Sequence, residues 1–215
     1  MSYTVEAEAD FVPALPRAPA MLSNHFSGYL RISKTKNIHY YYIESENDPV
    51  TDPIVFWTNG GPGCSGLLGL FTEMGPFRPM ADSSLARNPQ SWTKSASMVF
   101  LEQPVGVGFS YTSNYDYPTT NDFQSARDNL EVTKAFFKLF PERSVNNFYL
   151  SSESYGGHYI PQWTLAIFND NDQQMNLLNR FKGFIVGNPY TSFSSGSIAM
   201  AHTLWGLQVV PKSTW

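Results

Sequence analysis

Residues 53–58 read Pro-Ile-Val-Phe-Trp-Thr and run directly into Asn-Gly-Gly-Pro-Gly. The apolar stretch carries no charge and shows no alternation of apolar with polar residues. Such a strand is buried on both faces, and the glycine–proline run after it is a strong breaker. Residues 98–102 (Met-Val-Phe-Leu-Glu), 147–152 (Asn-Phe-Tyr-Leu-Ser-Ser) and 181–186 (Phe-Lys-Gly-Phe-Ile-Val) read as further strands, as does 39–44. Between them, Phe123, Ala126, Leu130, Phe137 and Phe140 recur near the helical period. That spacing predicts a helix over 122–140, capped by Thr120 or Asn121 and closed by Pro141. A second helical stretch runs from Tyr155 to about Asn169. Strands alternating with helices predict an α/β fold, with a mainly parallel sheet covered on both faces.

Composition sets the outer bounds. A chain of 215 residues suits one domain or most of one. With 42% apolar and 15% aromatic residues it can bury a sizeable core. The net charge of −4 is spread without long runs of one sign, so neither a nucleic-acid stripe nor a polybasic membrane patch is present. Apolar runs such as 54–57 are far too short to span a bilayer. Residues 1–25, rich in Pro and Ala, are expected to be a loosely held arm before a domain at 26–215. The first ten residues have no basic segment followed by an apolar one, so they do not read as a signal peptide. Cys64 is the single cysteine. It excludes an internal disulfide and leaves open a buried thiol or a bridge to a partner outside the chain.

Chemistry concentrates at Ser152-Glu153-Ser154-Tyr155-Gly156. A buried strand breaks there into a helix, in a variant of the G-x-S-x-G nucleophile elbow. Such a turn is strained and needs small neighbours. It lifts the central hydroxyl over the sheet edge and aims the next amide, that of Tyr155, at a developing oxyanion. Ser151 and Ser152 lie within the strand and cannot take the tip. Gly60 and Gly61, after the earlier strand, stand where this plan places its second oxyanion donor.

Four motifs occur in order: Trp-Thr-Asn-Gly-Gly-Pro-Gly-Cys-Ser (57–65), Glu-Gln-Pro-Val-Gly-Val-Gly-Phe-Ser-Tyr (102–111), Ser-Glu-Ser-Tyr-Gly-Gly-His-Tyr-Ile-Pro (152–161) and Gly-Asn-Pro-Tyr-Thr (187–191). On these the chain resembles the serine carboxypeptidase family from about Phe26 to its last residue. The resemblance implies an α/β-hydrolase-type, mostly parallel sheet with helices on both faces, incomplete at its C-terminal side. It implies that Ser154 is the acylating nucleophile and that Gly61 and Tyr155 supply oxyanion-hole N–H groups. Asn59, Gly60, Glu153 and Glu73 would receive the free C-terminal carboxylate of a peptide, with Trp57 bracing them. Two neighbouring carboxyls cannot both ionise cheaply, so at least one pKa rises and a protonated carboxyl can donate to the substrate. The implied partners are peptide or protein C-termini, with no cofactor, metal, nucleic acid or membrane. The implied location is vacuolar, lysosomal or secreted.

Two positions depart from the family pattern: Ser152 stands where it has Gly, and Glu102 where it has Asp. The resemblance also places the remaining triad members, Asp and His, beyond the Gly-Asn-Pro-Tyr-Thr run, and pairs Cys64 with a cysteine outside this chain. His25 and His39 precede the elbow, His202 comes too early, and His158 reads as structural. Asp170 and Asp172 read as a solvated turn. The chain is therefore expected to be the N-terminal part of a longer serine-type carboxypeptidase, nearly inactive alone. Two alternatives are an acyltransferase on the same scaffold and a short, non-catalytic binding isoform.

Overall fold

The computed structural model describes residues 3–113 and 120–211. In chain order the first elements are α1 (Val5–Ala9), β1 (Phe11–Val12), β2 (His25–Arg31), β3 (Lys36–Ile43) and β4 (Ile54–Thr58). A π-helical turn (Gly69–Glu73), a hairpin of β5 (Phe77–Pro79) and β6 (Leu85–Arg87), and a 3-10 turn (Trp92–Lys94) come next. Then follow β7 (Ser97–Leu101), β8 (Tyr111–Thr112), α2 (Asp122–Leu139), β9 (Phe148–Glu153) and α3 (Gly156–Phe168). The last elements are α4 (Leu177–Arg180), β10 (Phe181–Gly187) and α5 (Phe193–Gly206).

Eight strands form one sheet in the order β1-β2-β3-β7-β4-β9-β10, with β8 beside β3. The half that carries the glycine-rich loop and the elbow is parallel: β7, β4, β9 and β10. The other half is antiparallel, so the sheet is mixed. β4 lies centrally and every residue in it is buried. Its alternation shows how both faces are covered. Phe56 points into the cluster of Phe136, Phe137, Phe148 and Trp163 under α2 and α3. Val55 and Trp57 point the other way, toward Leu70, Met74, Met98 and Phe100. Complete burial of an aromatic side chain such as Phe56 stabilises by about 1.5–3 kcal/mol. Inside the first cluster, Trp163 satisfies its N–H by donating to Thr133 Oγ1 at 3.1 Å.

The N-terminal stretch corrects an expectation. Rather than a loose arm, it carries α1, whose Ala7 is fully buried, and β1, which pairs antiparallel with β2. Thr4 Oγ1 donates to Leu139 O at 2.7 Å and Tyr3 OH to Glu44 Oε1 at 2.9 Å. The folded unit thus begins well before Phe26. At the opposite edge β10 is the last strand, and its Phe184 and Ile185 are about half exposed (48% and 52%). No residue of α5 is buried, and Phe193, Ile198, Met200 and Trp205 all face outward.

Candidate active site

Ser154 sits between β9 and α3 with φ +52°, in the left-handed region that side chains rarely adopt. Both of its backbone groups are held. Its N–H donates to Gly187 O at 2.9 Å, and its carbonyl accepts from Tyr190 N at 2.7 Å and Gly157 N at 3.0 Å. The loop after β10 therefore fixes the strained turn, while the side chain of Ser154 stays exposed. The departure at Ser152 is accommodated. Its buried hydroxyl donates to Thr58 O at 2.6 Å, and its Cβ and Oγ fill the space that a Cβ at Gly156 would need.

The glycine-rich loop touches the elbow directly. A Cβ at Gly60 would lie 2.6 Å from Tyr155 N, 2.6 Å from Glu153 O and 3.0 Å from Ser154 Cβ, so only glycine fits. Gly61 has φ +111°, which again requires glycine. Neither the Gly61 N–H nor the Tyr155 N–H has an acceptor among the described residues. Both residues border the same cavity as Ser154. It holds about 480 Å³ and is walled by Gly61, Pro62, Ser154, Tyr155, Tyr190 and Phe193. A larger one, about 590 Å³, lies far off between the N-terminal segment and α2. It is lined by Thr4, Asp10, Tyr29 and Lys138 and does not include Ser154.

Asn59 organises a hydrogen-bonded group next to Ser154. Its amide nitrogen donates to Glu153 Oε1 at 2.9 Å and Glu73 Oε1 at 3.1 Å. Its oxygen accepts from Trp57 Nε1 at 2.8 Å and Gly69 N at 3.1 Å. All four of its hydrogen-bonding positions are used. Glu73 and Glu153 are thus joined through Asn59 rather than to each other. Burial, followed by the Glu153 charge, pushes the Glu73 carboxyl above its ordinary range, and the Asn59 hydrogen bond only partly offsets this. Trp57 braces the amide, and Gly69 leaves no Cβ where the indole N–H must pass.

The histidines remain outside this constellation. His158 stacks on Tyr155 with ring centroids 4.7 Å apart and turns Nδ1 toward Asp122 at 3.8 Å. His25 and His39 lie in β2 and β3, and His202 is exposed on α5. Asp170 is not simply solvated, since it pairs with Lys134 at 2.7 Å, with Asp172 3.8 Å from the same ammonium. Cys64 is a free, half-buried thiol beside Gly61. Tyr190 and Phe193 are cavity walls that local sequence does not announce. The only signal for Tyr190 is the Gly-Asn-Pro-Tyr-Thr run that contains it, and Phe193 lies just past that run.

A family model described as serine carboxypeptidase matches residues 16–215. The lysosomal protective protein of Mus musculus is 44% identical over 209 residues, which are 97% of this chain and 42% of that protein. Serine carboxypeptidase-like 46 of Arabidopsis thaliana is 39% identical over 219 residues, 100% of this chain and 46% of that protein. The chain thus spans somewhat under half the length of these relatives. Among solved structures, Kex1(delta)p, a prohormone-processing carboxypeptidase from Saccharomyces cerevisiae, superposes with a TM-score of 0.81 at 26% identity. It matches 96% of this chain and 48% of its own.

Proposed function

Because the chain belongs to the serine carboxypeptidase family, with an α/β-hydrolase-type fold, we propose that it carries the nucleophile half of a site that releases C-terminal residues from peptides. Ser154 Oγ attacks the last peptide carbonyl to form an acyl-enzyme, which water then hydrolyses. The oxyanion is received by the Gly61 and Tyr155 N–H groups, with the N-terminus of α3 adding its dipole. The free carboxylate of the substrate meets the Gly60 N–H, the raised Glu73 carboxyl beside Glu153, and Asn59, which exchanges one of its glutamate hydrogen bonds for the substrate. An ionised pair would repel it, so binding favours acid. An internal peptide bond lacks the group these residues are arranged to satisfy.

One observation carries this reading: the backbones of Gly60 and Tyr155 close so tightly around Ser154 that no side chain fits between them. The Asp and His of the triad are supplied from sequence outside this chain, as is a cysteine for Cys64. The chain alone therefore turns over peptides at only a small fraction of a complete site, because a serine without its base loses most of its rate. The kinship with a lysosomal relative supports an acidic compartment, lysosomal or vacuolar, or secretion.

Calorimetric binding of N-blocked dipeptides to this chain at acid pH tests the carboxylate cradle. The free acid should bind about tenfold or more tighter than the matching amide. Equal affinity for the two would overturn the assignment.

A further inference from the structure

Apart from the nucleophile, a second polar cluster surrounds Glu102, the residue after β7, which is 1% exposed. Its Oε1 accepts from Ser65 Oγ, while Oε2 accepts the Phe109 N–H at 2.8 Å and lies 3.0 Å from His39 Nδ1. Gly108, at φ +54°, packs so closely that a Cβ there would overlap the carboxylate. The other His39 nitrogen, Nε2, lies 3.0 Å from Ser27 Oγ on β2.

Ser27, His39 and Glu102 therefore line up as hydroxyl, imidazole and carboxylate, yet the line is not a second catalytic centre. The Ser27 N–H donates to Asp10 O at 2.8 Å, and β2 is paired with β3 along its whole length. No pair of N–H groups remains there to receive an oxyanion.

The cluster instead ties down the glycine-rich loop. Ser65 Oγ accepts the Leu67 N–H at 3.1 Å, and Ser65 O accepts the Leu68 N–H at 3.1 Å. One residue earlier, Cys64 N donates to Gly60 O at 3.2 Å. A shift of Ser65 thus passes through a single residue to the turn that presents Gly60 and Gly61.

We propose that Glu102 is a positioning residue for the loop that carries Gly60 and Gly61, acting through Ser65, with His39 Nδ1 lying against its other oxygen. The purpose of that loop rests on the function proposed above, whereas the coupling does not. Burial alone would raise the Glu102 carboxyl, but His39, Ser65 and the Phe109 N–H outweigh it and hold the group below its ordinary range. The titratable neighbour facing it is His39 from β3. The two flanking loops present only a hydroxyl and an N–H. Glu73 is displaced in the opposite direction. The clamp thus stays ionised in the acid range where the carboxylate cradle gains its proton.

Amide hydrogen exchange followed by NMR on this chain tests the coupling, with or without catalysis. Glu102→Gln removes the negative charge that strengthens both hydrogen bonds and leaves one oxygen between two donors. The Cys64 and Phe109 amides should then exchange about tenfold faster or more. Ser65→Ala cuts one arm alone. It should speed Cys64 by a similar factor and leave Phe109 within about twofold, a split that general destabilisation does not produce. With intrinsic rates removed, wild-type Cys64 and Phe109 should accelerate together as pH falls through the depressed Glu102 pKa, while Glu102→Gln stays flat. Unchanged Cys64 exchange in both variants, or equal acceleration of Cys64 and Phe109 in Ser65→Ala, would overturn the proposal. Should Glu102→Gln fail to fold, Ser65→Ala and the wild-type pH series still decide.

Discussion

Ser154 occupies a conformation that costs a side-chain-bearing residue about 1–2 kcal/mol. The strain is relieved by glycine and not by alanine. Ser154→Gly should therefore be more stable to denaturant than Ser154→Ala by about 1 kcal/mol, although glycine gives the unfolded chain more freedom. Equal stabilities would mean that the left-handed turn is not held in solution. Glu73 supplies a second expectation. Its folded pKa is raised, so its contribution is fully present below the ordinary carboxylate range and is lost as pH rises through the raised value. Wild type should lose stability relative to Glu73→Gln over that window in denaturant titrations taken across pH, and parallel curves would exclude it. That the two motifs meet in space was legible because each falls in a contiguous run, Asn59, Gly60 and Gly61 in one and Glu153, Ser154 and Tyr155 in the other. The Glu102 brace was not, because its groups come from positions 27, 39, 65, 102 and 109 and meet only after the sheet has formed.

Among the elements, β4, β7 and β9 were legible because strands buried on both faces need largely uninterrupted apolar residues, and β10 has the same kind of apolar run although its Phe184 and Ile185 are half exposed. α2 was legible because its apolar positions recur near the helical period. α5 was not, since a helix with no buried residue has no reason to show an apolar stripe. The junction of β9 and α3 depends on a pair of residues that exclude each other's bulk. Gly156→Ala should destabilise by about 1–3 kcal/mol, because the new methyl overlaps Ser152. Ser152→Gly should cost about 1 kcal/mol through the lost hydrogen bond to Thr58 O. The double variant should cost less than the sum, since removing the hydroxymethyl makes room for the methyl. Strict additivity in a double-mutant cycle would show that the two side chains do not compete for space.

At the scale of the molecule, the two ends of the sheet differ. The β1 edge is covered by its own N-terminal segment, an anchoring hidden from sequence because the burial of Ala7 is created by docking near Leu139 rather than by any local pattern. The β10 edge presents half-exposed Phe184 and Ile185, and α5 adds further exposed apolar side chains such as Ile198 and Met200. Unpaired strand edges flanked by apolar surface drive association. The chain should sediment as concentration-dependent oligomers, and Ile185→Lys should shift it toward monomer. A wild-type monomer at all concentrations would contradict this. The clamp on residue 154 bears on how the molecule comes into being. Its two fastening points, Gly187 and Tyr190, are synthesised more than thirty positions after it. A ribosome part-way through the message therefore holds this serine without the two bonds that fasten its left-handed turn, which form only once the later segment has emerged.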